Sequence, residues 1–200
     1  MASGIDDPTV DRNRPLLVLI SGAPGSGKTT LARRLADALS LPLIARDTYR
    51  EMLADAFDAR TPAESQALIA PTIAVYYAIL DQLLSASVSL IAESNFHRGI
   101  SERDLHPLVA KAQTVLVHCE TAREVSVRRF MERFERGERH RIYGDGERIA
   151  RMKVGERQDA WERAVPLDLA VPLLRVDATD GYLPDFAAIV SFVHSVTRSI

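Results

Sequence analysis

The sequence holds one cysteine, Cys119, in 200 residues. No disulfide can close within such a chain, and no zinc site can be built from its thiols. A reducing compartment is the natural setting, so the cytoplasm is the expected location. An excess of charge of one sign is also missing: 25 Lys and Arg stand against 27 Asp and Glu, a net charge of -2. Such a balance gives the surface as a whole no pull toward nucleic acid or an acidic membrane, though it is compatible with a local basic patch. Long apolar runs are lacking too. The longest uncharged stretch, Ser65 to Leu80, is shorter than a membrane span and contains Pro71, so a buried or cap-forming helix is expected there. Residues 1–14 are polar, carry no apolar run of signal-peptide type, and read as a flexible leader. The five histidines are scattered without the spacing of a metal site. Repeats, low-complexity tracts and internal linkers are absent, so residues 15–200 are expected to form one domain.

What is present is a regular alternation. Five short runs rich in Val, Ile and Leu read as buried parallel strands: Leu16 to Ile20, Leu43 to Ala45, Val88 to Ala92, Thr114 to Cys119 and Leu173 to Asp177. Helical periodicity fills the intervals, over Lys28 to Leu39, Asp47 to Phe57, Ala63 to Ser85, Ser101 to Lys111, Thr121 to Gly137, Gly146 to Ala164 and Leu183 to Ser199. Strand followed by helix, repeated, implies an α/β fold with helices on both faces of a parallel sheet. Ligands in such sheets bind beyond the carboxyl ends of the strands. The chemically distinctive residues fall there: Ser21 to Thr30 after the first run, Arg46 to Arg50 after the second, Glu93 to Arg98 after the third.

Gly22-Ala23-Pro24-Gly25-Ser26-Gly27-Lys28-Thr29 matches G-x-x-x-x-G-K-[ST] in full, between a strand and a helix. Its glycines allow successive backbone N–H groups to point at phosphate oxygens, and the helix adds its positive dipole end. Lys28 is placed to neutralise β- and γ-phosphates and Thr29 to offer a hydroxyl to Mg2+, with Thr30 beside it. ATP with magnesium is the expected ligand, in a P-loop NTPase three-layer sandwich.

Magnesium-dependent phosphoryl transfer also needs an acid at the end of another strand. Glu93 occupies that place, where Asp is usual. Asp47 suits two roles: an N-cap for the helix that follows, or a base that takes the proton of an acceptor hydroxyl. His97 and Arg98 are placed to meet an acceptor anion. His118, Cys119, Tyr76, Tyr77 and Trp161 read as packing residues, with Trp161 expected near the last strand and the two tyrosines also able to line an acceptor pocket. Between Thr121 and Tyr143 lie seven arginines: Arg123, Arg128, Arg129, Arg133, Arg136, Arg139 and Arg141. Arg129, Arg133 and Arg136 share one helix face. This segment, about 121–146, is expected to form an Arg-rich lid that brings guanidinium groups to the transferring phosphate, with Gly137, Gly144 and Gly146 as hinges.

Three stretches together resemble P-loop kinases of the group that includes polynucleotide kinases, chloramphenicol phosphotransferases and zeta toxins. Gly22 to Thr30 looks like their phosphate loop, Arg46-Asp47-Thr48-Tyr49-Arg50 is similar to an R-D-x-Y-R stretch, and Ile91-Ala92-Glu93-Ser94-Asn95 resembles I-S-D-T-N. The resemblance implies that Asp47 activates the acceptor hydroxyl and that Arg50 contacts a substrate phosphate. It also implies a lid in which Arg129 packs on adenine and Arg133 reaches phosphate. The expected activity is ATP-dependent phosphorylation of a hydroxyl on a small molecule. A polynucleotide 5′-hydroxyl and an acceptor-free nucleotide switch are the alternatives. The stretch Arg136 to Gly146 has no counterpart in polynucleotide kinases, which leaves room for a different acceptor.

Overall fold

Leu17, Val18, Leu19 and Ile20 have no exposed surface. They belong to β1 (Leu16–Gly22), the middle strand of a five-stranded sheet, where both faces are covered. This computed structural model describes residues 14–153 and 159–198. The polar leader, and the middle of the helix expected over Gly146 to Ala164, lie outside the described residues. The other strands are β2 (Leu43–Ala45), β3 (Leu90–Glu93), β4 (Gln113–Glu120) and β5 (Leu173–Asp177). All pair in parallel, in the order β2-β3-β1-β4-β5.

Alternation along β1 sorts its side chains to two cores. Leu17 and Leu19 pack with Tyr76, Leu80, Leu90 and Leu105 on one face. Val18 and Ile20 pack with Leu31, Leu35, Ile189 and Val193 on the other. Helices α1 (Lys28–Leu39) and α9 (Phe186–Arg198) therefore cover one face. The other is covered by α4 (Ile69–Ser85) and α5 (Glu102–Val109). Above the strand ends lie α2 (Arg46–Ala56), α3 (Pro62–Ala67), α6 (Arg123–Glu135), a 3-10 turn at Arg141–Tyr143, α7 (Asp145–Lys153) and α8 (Asp159–Glu162). The three-layer P-loop sandwich with a five-stranded parallel sheet is thus the observed fold.

Two expectations need correction and a third refinement. The helix expected over Ala63 to Ser85 is two helices, because Pro71 has no N–H to offer the carbonyl of Ala67. The ladder resumes at Leu68, whose carbonyl accepts from both the Thr72 N–H (3.1 Å) and the Thr72 hydroxyl (2.6 Å). Read as one run, Pro62–Ser85 has the length and mean hydropathy (1.6) of a membrane span, so it is longer than the uncharged stretch suggested. Its inward face is nevertheless engaged, with Tyr76, Leu80 and Leu84 buried on the sheet. β5 is not covered on both faces: it is the edge strand, and Leu173 is 39% exposed. Trp161, expected as a packing anchor near the last strand, lines one hollow with Arg175 of β5 but takes its aromatic contact from α6, edge-on against Phe130 at 5.4 Å between ring centroids. Its indole N–H donates to Ser126 Oγ (3.0 Å).

Leu80→Ala should lower unfolding stability by about 2–5 kcal/mol, since the cavity it leaves lies between α4 and the sheet. Val75→Ala, on the open side of the same helix, should cost no more than about 0.5 kcal/mol. Urea denaturation of the two variants tests which side of α4 carries the packing.

Candidate active site

The loop between β1 and α1 turns on two left-handed glycines, Gly25 (φ 78°) and Gly27 (φ 84°). Ser26 N–H closes the turn on Ala23 O (3.1 Å). A Cβ on Gly25 would lie 2.1 Å from the carbonyl oxygen of Ser126, so the loop is pressed against α6. Gly27 is the N-cap of α1; no side chain caps this helix, and its first turn holds no acid. Its free N–H groups and positive dipole end therefore stand open to an anion.

Lys28 Nζ lies 3.4 Å from Ala23 O and 3.9 Å from Glu93 Oε1. Both side chains are nearly enclosed, so this cation and this carboxylate have little water to compensate them. Thr29 donates its hydroxyl to Glu93 Oε2 (3.3 Å). Burial raises the Glu93 pKa, with Lys28 opposing the shift. Among the described residues, no group of three or more His, Cys, Asp and Glu could hold a metal alone. A magnesium ion held by one hydroxyl, one carboxylate and phosphate oxygens needs no such cage, and Thr29 beside Glu93 fits that donor set.

Two cavities meet over this loop. One, of about 440 Å³, is lined by Gly25, Gly27, Thr30, Arg129, Arg136 and Tyr182, among others. The second, of about 300 Å³, is lined by Pro24, Arg46, Asp47, Arg50, Asn95 and His97, with further residues from α4 and from the chain after α6. Lys28, Thr29 and Arg133 line both.

The predicted residues fall as follows. Arg129 is fixed by donating to Ala178 O (2.8 Å) and Thr179 O (2.9 Å), across the first cavity from α1. Arg133 stands between the cavities, its pKa lowered by burial and by the nearby Arg139. Gly22 is packed against Cys119, where a Cβ would come within 2.6 Å of the carbonyl oxygen. Ser26 is buried, and neither it, Gly22 nor Ala23 lines the two cavities. Asp47 is not an N-cap: α2 begins at Arg46, its N-cap is Ala45, and no side chain caps it. Asp47 faces the second cavity instead. Arg50 donates to Ser65 Oγ (2.8 Å) and lies over the Tyr143 ring (5.2 Å). Its pKa is lowered by burial.

Arg98 does not reach either cavity; it pairs with Asp168 at 3.4 Å on the surface. Its neighbour His97 lines the second cavity, as does Asn95. His97 Nδ1, Asn95 Oδ1 and Arg50 Nε are buried without a hydrogen-bond partner. Two residues of this wall, Tyr143 and Arg148, carry no role in the sequence reading, and Arg139, expected as one of the lid arginines, lines this second cavity with Asp47 and not the first. Arg139 Nε donates to Asp145 Oδ2 (2.7 Å), and Arg148 lies 3.7 Å from Oδ1 of the same buried carboxylate. Tyr143 donates its hydroxyl to Glu51 (3.0 Å).

Two measurements follow from this geometry. Gly25→Ala must displace α6 and hold a left-handed alanine, so unfolding stability should drop by about 2–4 kcal/mol, read by thermal or urea melts. Burial depresses the His97 pKa below its ordinary 6.5. The unfolded chain thus binds the proton first as pH falls, and the stability from burying neutral His97 is complete above about pH 6.5 and lost below it. His97→Gln should flatten part of the drop in melting temperature from about pH 7.5 to 5.5, with His118, shifted in the same direction by burial, supplying the remainder.

The AAA domain family model matches residues 17–155. A solved structure of a candidate kinase from Chloroflexus aurantiacus J-10-fl superposes with a TM-score of 0.75 at 30% identity, covering 91% of this chain and 98% of that one. Shikimate kinase of Corynebacterium diphtheriae is 52% identical over 42 residues, 21% of this chain and 24% of that protein. Cytidylate kinase of Pyrobaculum arsenaticum is 53% identical over 38 residues, 18% of this chain and 21% of that protein. The chain thus spans less than a quarter of the length of these two curated relatives. On the extent of the family match and on the Chloroflexus likeness, the chain belongs to the AAA domain family, among its kinase-like P-loop proteins.

Proposed function

We propose that the protein is an ATP-dependent kinase that transfers the γ-phosphoryl group to a hydroxyl of a small-molecule acceptor. The observation that carries this reading is the junction of two cavities at Lys28, Thr29 and Arg133. A nucleotide hydrolase or switch needs one pocket; transfer to a second molecule needs another that opens onto the same phosphate. The kinases matched over short segments are named for shikimate and cytidylate, which supports a small acceptor.

Magnesium-bound ATP, when present, supplies the phosphoryl group and a metal that neutralises charge on its oxygens. The α1 N-terminus and Lys28 grip the β- and γ-phosphates, and Thr29 with Glu93 holds the metal or its waters. Arg129 and Tyr182 border the end of the first cavity distant from Asp47, suited to the base and ribose. Asp47 takes the proton of the acceptor hydroxyl as that oxygen bonds to the γ-phosphorus and the bond to the ADP oxygen breaks. Arg133 offsets charge on the transferring oxygens from the side opposite Lys28. The segment from α6 to Gly146 acts as the lid, excluding water and aligning donor with acceptor.

Incubation with magnesium, ATP and a panel of hydroxyl compounds, followed by mass spectrometry for an added phosphoryl group, tests the reading directly. Asp47→Asn should lower kcat by about 10²–10⁴-fold while still binding ATP. Near-normal turnover in that variant would remove Asp47 as the base. Lys28→Ala should abolish saturable nucleotide binding in calorimetry.

A further inference from the structure

The second cavity carries more positive charge than phosphoryl transfer requires. Five guanidinium groups line it, from Arg46, Arg50, Arg133, Arg139 and Arg148, against one lining carboxylate, Asp47. Arg139 and Arg148 share Asp145, which lies behind them. Arg46, Arg50 and Arg133 form no ion pair among the described residues. The groups are close enough to repel: Arg46 and Arg148 both act against the charge on Arg50, and Arg139 against that on Arg133. Lys28 and Arg133 suffice for the transferring phosphate. Arg46 and Arg50, half-buried, are left over without an ion pair, and Arg139 and Arg148 have one carboxylate between them, in a cavity where unpaired charge is costly.

Their orientation is prepared. Arg139 lies 4.3 Å over one ring, Tyr143, and Arg50 lies 5.2 Å from the same ring. Tyr143 is itself tethered to Glu51, and Asp145 holds Arg139 and Arg148 from behind. Opposite stand Ile69 and Ile73, and beside them the orphan Asn95 Oδ1, His97 Nδ1 and Arg50 Nε. Fixed cations, an apolar wall and unused polar atoms together describe a seat for a compact molecule that is anionic at one end and hydroxylated at the other.

A hollow of about 480 Å³ adjoins this cavity, sharing Arg50, Ile69, Tyr143 and Arg148 with it and adding Arg60, Arg141 and Glu147. Arg60 is paired with Asp58 at 2.7 Å and Arg141 with Asp55 at 2.9 Å. The cations that this hollow adds are already paired, whereas Arg46, Arg50 and Arg133 in the cavity have no ion pair among the described residues.

We infer that the acceptor already bears an anionic group, a phosphate or a carboxylate, seated on Arg148, Arg139 and Arg50 while its free hydroxyl meets Asp47. This rests on the kinase reading above, so the test separates the two. First, protein saturated with magnesium and a non-hydrolysable ATP analogue is titrated calorimetrically with inorganic phosphate and with malonate. Saturable binding of one of them is expected, weakened at least about ten-fold in Arg148→Ala. Arg148→Lys should recover part of it, and thermal melts of both variants report that the fold is intact. Second, transfer is compared within matched pairs, a polyol against its monophosphate and a hydroxy acid against its amide. The anionic member should be favoured by about ten-fold or more in kcat/KM, and whichever pair responds tells phosphate from carboxylate.

Failure of the nucleotide-loaded protein to bind either anion overturns the inference. Equal or better transfer to the neutral members does so too, as does transfer confined to oligonucleotide 5′-hydroxyls with a steep salt dependence. Arg148-dependent anion binding without transfer to any acceptor upholds the seat and overturns the kinase reading beneath it.

Discussion

Lys28 and Glu93 face each other at 3.9 Å with side-chain exposures of 10% and 6%. Withdrawing two charges from water is expensive, and a pair this far apart recovers only part of the cost. The sheet imposes the arrangement. β1 and β3 are adjacent and parallel with Ile20 opposite Glu93, so the end of β3 lies beneath the start of α1. From below, the buried Tyr76 hydroxyl donates to the Glu93 carbonyl oxygen (3.3 Å), holding the strand end in place. In the proposed reading a polyphosphate and a divalent cation would bring the missing partners, the anion to Lys28 and the cation to Glu93 and Thr29. The rest of the site is arranged around that incomplete pair: one cavity to each side, with Arg133 above.

How much of this is legible in sequence depends on how far apart the cooperating residues lie. The phosphate loop is readable because its chemistry is packed into eight consecutive residues, Gly22 to Thr29, with one strand and one helix as context. The strands are readable because Val, Ile and Leu runs mark buried parallel strands. The same composition in β5 gives no sign that an edge strand leaves Leu173 open. Asp47 and Glu93 are found because they follow strands, and strand ends converge. Arg98 and His97 show the limit of that logic. Both follow β3, and adjacency in sequence says nothing of which side chain turns inward. Tyr143 and Arg148 are beyond reach for another reason, and so is the place of the lid residue Arg139 beside them. A 3-10 turn ending at the left-handed Gly144 (φ 58°) separates them, so helical periodicity cannot place them on a common wall.

Net charge misleads in the same way. A total of -2 gives no hint of a strongly basic cavity, because the compensating acids lie mostly outside it. Asp55 and Asp58 pair with Arg141 and Arg60 in the adjoining hollow, and Asp145 serves Arg139 and Arg148 together. Five guanidinium groups in the second cavity thus share two carboxylates, Asp47 and Asp145, where walls that exclude water make interactions between charges strong.

The surplus of cations also answers a difficulty created by the shared wall. Arg133 and Lys28 border both cavities, so filling the nucleotide side with a polyphosphate spends their charge and lowers the positive potential on the acceptor side. If they were the only cations, an anionic acceptor would bind more weakly once ATP was in place, and by reciprocity it would expel ATP. Arg46, Arg50, Arg139 and Arg148 line the second cavity and not the first. They keep that side attractive when the first is full. The chain makes this possible with one continuous segment. α6 is anchored to the phosphate loop where Ser126 meets Gly25 and braced by Phe130 on Trp161, and it presents Arg129 and Arg133 to the first cavity. The turn and helix that follow are anchored to α2 through Tyr143 on Glu51 and present Arg139 and Arg148 to the second. In the proposed reaction two like-charged ligands approach within bonding distance, and a wall that carries separate cations for each is the physical condition for holding both at once.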